Sequence, residues 1–417
     1  MKVFKFGGAS IKNATAIRNM CEIIKNHQGE QLIVIVSAMG KSTNALEEIH
    51  QQIVSGKDPS GSITTFVKYH SEIGHDLFPN HDSINNEIDK WQYRLTEIIR
   101  NYTNPEDLYN SVVAIGELLS STIIDQYLNE CGIKTTWVDV RQIIRTDNTP
   151  SDANVDWEIT RQNINDYVGH QQKGYVILTQ GFIASNEGNI TTTLGREGSD
   201  FTGAIFASCL DAESFTVWKD VPGILNADPK RIDDAILFED LSYNEASEMT
   251  YYGAKVIHPK TIKPLANKNI PLYVRCFDEP DKDGTKIHNS KTIHTIPVIV
   301  FKDKQCLVTF KTKDLTFVNE KGISVIFDAL HALAIDMNIM QNSAVSFSIC
   351  IDYNKNKIDQ LIESLQVHFD IRYNSDLQLV TIKNYSEQAI KKYLPKGEIL
   401  LEQKSRNNYR VLIGGQI

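Results

Sequence analysis

Met1-Lys-Val-Phe-Lys-Phe-Gly-Gly-Ala-Ser10 is the stretch on which the reading of the fold turns. Val3, Phe4 and Phe6 have the character of a buried strand, and Lys5 places a cation on it. Gly7 and Gly8 allow the backbone to approach a bound anion without side-chain interference. Ser10 offers a hydroxyl to the same anion, and Asn13-Ala-Thr-Ala-Ile-Arg18 reads as the start of a helix. Strand, glycine turn and helix N-terminus together form an anion site, most often one for phosphate. An ordinary strand-to-helix turn with a surface lysine fits the decapeptide equally well. The P-loop pattern is absent, and the adjacent glycines do not make a Gly-x-Gly-x-x-Gly fingerprint.

The chain has 417 residues, enough for two or three domains at roughly 150 residues each. It carries 43 basic and 52 acidic residues, a net charge of −9, which argues against nucleic acid as the main partner. Nucleotides need only a few local cations and remain allowed. Apolar runs such as 32–38 are too short to span a bilayer, so no membrane is expected. The first residues read as a strand and not as a secretory signal, so a cytoplasmic location is expected. The six cysteines, at 21, 131, 209, 276, 306 and 350, include no Cys-x-x-Cys and read as buried free thiols.

Strand and helix signals alternate from residue 1 to about 285. Leu32–Ser37 is a continuous β-branched run, as in a strand covered on both faces. Further strands are expected at 112–115, 134–138, 176–179 and 215–218, with helices at 118–130 and 200–210. That alternation predicts an α/β domain with a largely parallel sheet. Residues 45–110 read as a polar helical insertion over the site. A turn-rich segment at 278–292 marks a boundary. Beyond it, strands at 305–310, 344–351 and 377–382 alternate with helices at 321–334, 355–367 and 387–393. Two small ferredoxin-like α+β units of the βαββαβ type account for that pattern.

Four further segments carry candidate chemistry. Val34-Ile-Val-Ser-Ala-Met-Gly-Lys-Ser-Thr-Asn44 ends a buried strand in small and hydroxyl residues, suited to a crevice at the carboxyl end of a parallel strand or to a capping loop. In Val112–Ser120, Glu117 is expected at a strand-to-helix turn, either capping the helix or binding a cation such as a substrate ammonium. Thr191-Thr-Thr-Leu-Gly-Arg-Glu-Gly-Ser-Asp200 gathers site-building residues before a helix; Arg196 is able to grip a carboxylate bidentately. Asp200 is placed to cap that helix, orient Lys5 or meet a substrate ammonium. Val217–Lys230 runs from a strand into a turn carrying Asp220, Asp228 and Lys230, and Lys255 is a candidate second phosphate cation. Each lysine is equally readable as a solvated surface charge. His70 and His75 are five apart, do not match His-Glu-x-x-His, and are read as surface or inter-helix histidines.

Taken in order, these segments resemble aspartate kinase, of the amino acid kinase superfamily. The landmarks are Lys5-Phe-Gly-Gly-Ala-Ser10, Val36-Ser-Ala38 with Thr43-Asn44, Gly116-Glu117 and Thr191–Asp200. Lys219-Asp-Val-Pro-Gly-Ile224 with Asp228-Pro-Lys230, and Gly253-Ala-Lys-Val-Ile-His-Pro259, complete the set. The resemblance implies an αβα sandwich of eight strands over 1–285, a linker at 286–300, and two ACT regulatory units. The first covers 301–370; the second, shortened, covers 371–417, with the strand at 296–302 completing it. It implies transfer of the ATP γ-phosphoryl group to the side chain of L-aspartate, the first step toward lysine, threonine and methionine. Catalysis of this kind is mainly positioning and charge neutralisation.

The resemblance also assigns roles. Lys5 meets the transferring phosphoryl group, with Gly7, Gly8 and Ser10 around it and Asp200 orienting it. Thr43, Glu117, Arg196 and Ser199 face aspartate, Glu117 at its ammonium. Ser37, Lys219, Asp220, Asp228, Lys230 and Lys255 serve the nucleotide, and Mg²⁺ bridges its phosphates with no protein ligands named. Ala9 and Lys219 stand where Thr is usual, Glu197 where Gly is common, and Leu225 where Tyr is usual. A homodimer through the ACT sheets and a lysine or threonine effector are implied as well. Asn338 and Ala344, however, stand where an effector-binding Asp and Glu are typical. The rivals are a kinase for another acidic substrate such as glutamate, and a non-catalytic amino-acid sensor; the latter predicts loss of the phosphate cations, whereas Lys5 and Lys255 are present.

Overall fold

The computed structural model describes residues 1–79, 83–149, 151–171, 174–254, 257–292, 294–313 and 317–414. The chain divides into two compact units. The first comprises 1–224, 237–250 and 255–292, the second 225–236, 251–254 and 293–417.

The first unit runs β1 (Lys2–Phe6), α1 (Ala14–Lys25), β2 (Leu32–Val36), α2 (Ser42–Val54), α3 (Ser60–Leu77), α4 (Ser83–Asn101) and α5 (Pro105–Glu130). It continues through β3 (Thr135–Val138), α6 (Trp157–Gly169), β4 (Val176–Gln180), β5 (Ile183–Ser185), β6 (Thr191–Thr193), α7 (Gly198–Cys209) and β7 (Ser214–Lys219). Then come β8 (Ile224–Leu225), β9 (Leu237–Phe238), β10 (Asp240–Ser242), α8 (Tyr243–Tyr251), α9 (Pro259–Lys268), β11 (Leu272–Cys276) and β12 (Thr285–His288). Eight strands form one sheet in the order β10-β12-β11-β7-β1-β2-β4-β3. Its pairs are parallel except β11 with β12. Phe4, Phe6, Val34, Val36 and Leu178 face the apolar sides of α1 to α5, and α7 packs on the opposite face against β1 and β7. The α/β sandwich expected from the alternation is therefore present.

Two expectations need correction. Residues 112–115 are not a strand but the middle of α5, so Glu117 lies inside a helix and not at a strand-to-helix turn. Val112-Val-Ala-Ile115 is buried on all sides, and an apolar run of that kind reads the same in a strand as in a core helix. The linker at 286–300 holds the end of β12 and the start of a long strand. Of the two histidines read as surface or inter-helix, His70 is fully buried against α2 and His75 is exposed.

The helical insertion is tied to the turns beneath it. Tyr69, on α3, donates its hydroxyl to the Lys12 carbonyl (2.6 Å). His70 Nδ1–H donates to the Phe66 carbonyl (2.8 Å), and its Nε2 lies 3.2 Å from Ser42 Oγ. The Ser42 hydroxyl also reaches the Met39 carbonyl at 2.6 Å. Burial holds the His70 imidazole neutral, with its pKa lowered to about 4.

The second unit consists of β13 (Val298–Thr312), α10 (Glu320–Ala332), β14 (Met337–Asn342), β15 (Ser346–Asp352), α11 (Lys355–Leu365), β16 (Phe369–Lys383), α12 (Glu387–Tyr393), β17 (Glu398–Lys404) and β18 (Asn408–Gly414). Its sheet has the order β14-β15-β13-β16-β18-β17. β13 and β16 pair along their length, but the register breaks between Lys302 and Gln305. Lys304 and Asp376 take positive φ there, so both strands bulge at one level. Residues 305–312 pair with 369–377, and 298–302 with 379–383. The first half forms a complete βαββαβ unit with α10 and α11 over a core around Phe310, Ile349 and Leu361. In the second half, Ala227 and Ile232 join Ala389 of α12 over Val380, Tyr409 and Val411. Among the described residues, no helix is long and apolar enough to cross a membrane.

His70 has a folded pKa of about 4 against an ordinary 6.5. Its contribution to stability is complete above pH 6.5 and is lost as the pH falls through 4, where the unfolded chain binds the extra proton. His70→Gln should flatten this acid limb. Between pH 6.5 and 4 the wild type should lose up to about 3 kcal/mol more than the variant in denaturant titrations. Parallel loss in both would show that His70 is not held neutral.

Candidate active site

The parallel strands β1, β2, β4 and β7 end along one edge, where crevices for ligands form in open α/β sheets. β1 runs into Gly7 and a short 3₁₀ turn, Gly8–Ile11. Gly8 is required by its neighbours: a Cβ there would lie 2.7 Å from the Ala38 carbonyl oxygen and 2.9 Å from that of Gly40. The absent side chain lets the turn after β1 lie directly on the loop after β2, where Gly40 N–H donates to the Gly8 carbonyl. On the other side, the Ser10 hydroxyl donates to the Trp218 carbonyl of β7 (3.1 Å). Ser10 is buried, so its proton is committed within the protein and is not offered to a ligand as expected.

Asp200 lies in the first turn of α7, where the helix dipole favours a negative charge. Both its oxygens meet ammonium groups. Lys5 Nζ stands 2.6 Å from Oδ1, and Lys219 Nζ stands 3.4 Å from Oδ2. Burial alone would raise the Asp200 pKa. The two lysines, Lys5 foremost, outweigh it and hold the carboxyl below its ordinary range. Desolvating such charges costs several kcal/mol per ion, and the attraction between them offsets this only roughly. A structural role alone would be served as well by apolar side chains. Gly7 lies against Lys5, since a Cβ there would be 3.4 Å from its Nζ.

The approach of α7 depends on Gly181 at the end of β4, where a Cβ would fall 2.5 Å from that of Ser199. The loop before α7 turns at Glu197, which adopts φ 55. That left-handed backbone explains why glycine suits the position. Glu197 offsets its strain by accepting from His258 N–H (2.8 Å), which pins the loop to the start of α9. Arg196 beside it is exposed, with no ion-pair partner among the described residues.

Glu117 is the second buried acid. Ala38 N–H donates to it, while Oε2 has no hydrogen-bond partner. Burial pushes its pKa up to about 8, against the smaller opposing pulls of the Ala38 amide and Lys5. Thr43 is half-buried at the start of α2. Ser37 offers its carbonyl to the Ser120 hydroxyl (2.7 Å). Asp220 is exposed beyond β7.

Lys5, Asp200 and Lys219 are thus brought together, with Glu117 within the field of Lys5. Asp228 and Lys230 belong to the second unit, where Asp228 Oδ1 accepts from Lys230 N–H in a local turn. Lys255 lies outside the described residues. Asn338, in the second unit, accepts from Lys302 Nζ (2.7 Å) and donates to Gln305 and Asp352. Reading the sequence missed Gly181 and the contact of His70 with Ser42. A glycine directly after a predicted parallel strand signals the first; nothing in the sequence marks the second. Among the described residues, no three His, Cys, Asp or Glu side chains converge to hold a metal ion.

A model of the amino acid kinase family matches residues 1–276. The chain is 29% identical over 383 residues to bifunctional aspartokinase/homoserine dehydrogenase 2, chloroplastic, of Arabidopsis thaliana, covering 88% of this chain and 42% of that one. It is 29% identical over 360 residues to lysine-sensitive aspartokinase 3 of Escherichia coli (strain K12), covering 84% and 78% respectively. The structure of E. coli aspartokinase III in complex with aspartate and ADP aligns with a TM-score of 0.85 at 25% identity, covering 100% of this chain and 96% of that one. The chain spans about two fifths of the length of the first curated relatives it matches.

The raised pKa of Glu117 has a measurable consequence. Its folded value of about 8 exceeds the ordinary 4.5, so its burial costs nothing below pH 4.5 and most above pH 8. Glu117→Gln should therefore gain stability relative to wild type as the pH rises from 5 to 9, by a few kcal/mol in all. A difference that does not change with pH would mean that Glu117 is ionised throughout.

Proposed function

The chain belongs to the amino acid kinase family, and we propose that it is an aspartate kinase, a phosphotransferase with a carboxyl group as acceptor. It moves the γ-phosphoryl group of MgATP to the side-chain carboxylate of L-aspartate, giving ADP and 4-phospho-L-aspartate. The observation that carries the reading is the charge order along the edge of the sheet. Lys5 and Lys219 form a cationic end, and Glu117 forms a buried acidic end with an oxygen still to be satisfied. A zwitterionic amino acid with an anionic side chain matches both ends.

The acceptor carboxylate is ionised at neutral pH, with an ordinary pKa of about 3.9, and needs no general base. It attacks the γ-phosphorus as the bond to the ADP oxygen breaks. Lys5 neutralises the phosphoryl oxygens in flight, and Asp200 keeps its ammonium aimed. Arg196 clamps the substrate α-carboxylate, and Glu117 releases its proton to solvent as it pairs with the ammonium. Thr43 and Ser199 line that end. Gly7, Gly8, Ser37, Lys219, Asp220, Asp228, Lys230 and Lys255 are assigned to the nucleotide side by the resemblance, whereas the Ser10 hydroxyl is engaged by the Trp218 carbonyl. Mg²⁺ would neutralise the phosphates when bound.

The second unit is read as two interleaved ACT units, in a cytoplasmic homodimer joined through those sheets. The βαββαβ order of the first half and the pairing of 298–302 with 379–383 support that reading. A lysine or threonine effector belongs to the same proposal. The name of the E. coli relative supports it, while the internal bonding of Asn338 argues against an unaltered effector contact.

With ATP, Mg²⁺, L-aspartate and hydroxylamine, the protein should form a hydroxamate that requires aspartate. Lys5→Ala should lower the rate at least about 100-fold. No hydroxamate, or as much with glutamate as with aspartate, would overturn the assignment.

A further inference from the structure

A cavity of about 520 Å³ opens in the first unit among α6, α7 and α9, and none of the residues assigned to the kinase site lines it. Lys260, Lys263 and Asn267 follow at intervals of three and four along α9, so they share one face. Trp157 and Arg161 lie one turn apart on α6. Both helices pack against α7, which closes the cavity from below. The floor is apolar: Trp157 meets the buried Phe201 of α7 edge to face at 6.2 Å. The rim is basic. Arg161, Lys260, Lys263 and Lys268 line the cavity and no Asp or Glu does, in a chain whose net charge is −9. Lys260 is paired with Asp152 and Lys268 with Asp211. Arg161 and Lys263 have no ion-pair partner among the described residues. Arg161 meets the thiol of Cys209, whose pKa burial pushes up to about 11, so it supplies no counter-charge. Ser208 is only 4% exposed and lines the wall, and its hydroxyl has no hydrogen-bond partner among the described residues.

We propose that this cavity is a second binding site, for a small organic anion that carries an aromatic ring. The ring lies against Trp157 and Phe201. The anionic group takes Arg161 and Lys263, and the Ser208 hydroxyl donates to it. Each half of the lining excludes a simpler ligand. A bare inorganic anion would leave the aromatic floor in water, and a neutral aromatic molecule would leave two cations without a counter-charge. The volume lies within the range of small-molecule sites, roughly 300–1,000 Å³, and an apolar wall with a few convergent polar groups is their usual build. A guanidinium fork suits carboxylate and phosphate alike, so either group fits the anionic end. Phe201 follows Asp200 along α7, so the occupant bears on the helix that carries that carboxylate. Binding forms and breaks no covalent bond, and the site does not depend on the kinase reading.

The test is calorimetric titration of the full chain with naphthoate, naphthyl phosphate and the neutral naphthamide. The titrations are repeated with Mg²⁺, a non-hydrolysable ATP analogue and L-aspartate all present. At least one of the two anions should bind once per chain with a Kd of about 1 mM or tighter, and naphthamide at least about tenfold more weakly. The tighter anion then shows whether the site takes carboxylate or phosphate. Arg161 and Lys263 are exposed, so Arg161→Gln and Lys263→Gln should fold as the wild type does. Each should weaken the anion about fivefold, while Arg161→Lys, which keeps the charge, should weaken it less. The analogue and aspartate should leave the affinity unchanged. No saturable binding of either anion up to about 10 mM overturns the proposal, as does equal affinity for naphthamide. Unchanged affinity in both glutamine variants, or displacement by the ATP analogue or aspartate, overturns it as well.

Discussion

A carboxylate removed from water and set between two lysines is the constraint around which the first unit is arranged. Asp200 stays ionised at that depth because Lys5 and Lys219 stand against its two oxygens. The surrounding backbone serves this geometry. Gly8 lets the turn after β1 rest on the loop after β2, and Gly181 lets the first turn of α7 reach the sheet. Glu197 accepts a strained backbone and recovers a hydrogen bond to His258 that fixes the approach of α7. The ion pair itself adds little net stability, so its retention points to chemistry.

The second unit has a different logic. One long pair of strands, β13 and β16, serves two half-sheets, and a bulge at Lys304 and Asp376 divides them. The second half has α12 on its face, and the residues around Ala227 and Ile232 join it there. Arg231 pairs with Asp303 and Lys392 with Asp234, which holds that segment in place. The segment carries Asp228 and Lys230. Asp228 and Lys230 are therefore members of the second unit.

Much of this was legible in the sequence. The runs at 32–37, 134–138, 176–179 and 215–218 are strands because each is short, apolar and followed by a turn. Residues 112–115 misled because a helix buried on every side loses its 3.6-residue period; the length of α5, 26 residues, marks it as a helix only once its start is known. β14 and β17 went unseen as the two edges of their sheet, where polar residues interrupt the pattern. β18 is apolar but lies in a stretch whose brevity suggested a truncated unit. At the site, orienting Lys5 was one of three roles the residue types left open for Asp200, and the resemblance implied it. The engagement of Asp200 by Lys219, the burial of Glu117 and the internal use of Ser10 depend on side-chain placement that sequence spacing does not encode.

The most direct measurement is a double-mutant cycle of Lys5→Met and Asp200→Asn, read as unfolding free energy in denaturant at neutral pH. If Asp200 is ionised and held by Lys5, removing both should cost less than the sum of the separate losses, with a coupling of at least about 2 kcal/mol. Additivity within about 0.5 kcal/mol would contradict the pairing and, with it, the arrangement assigned to the site.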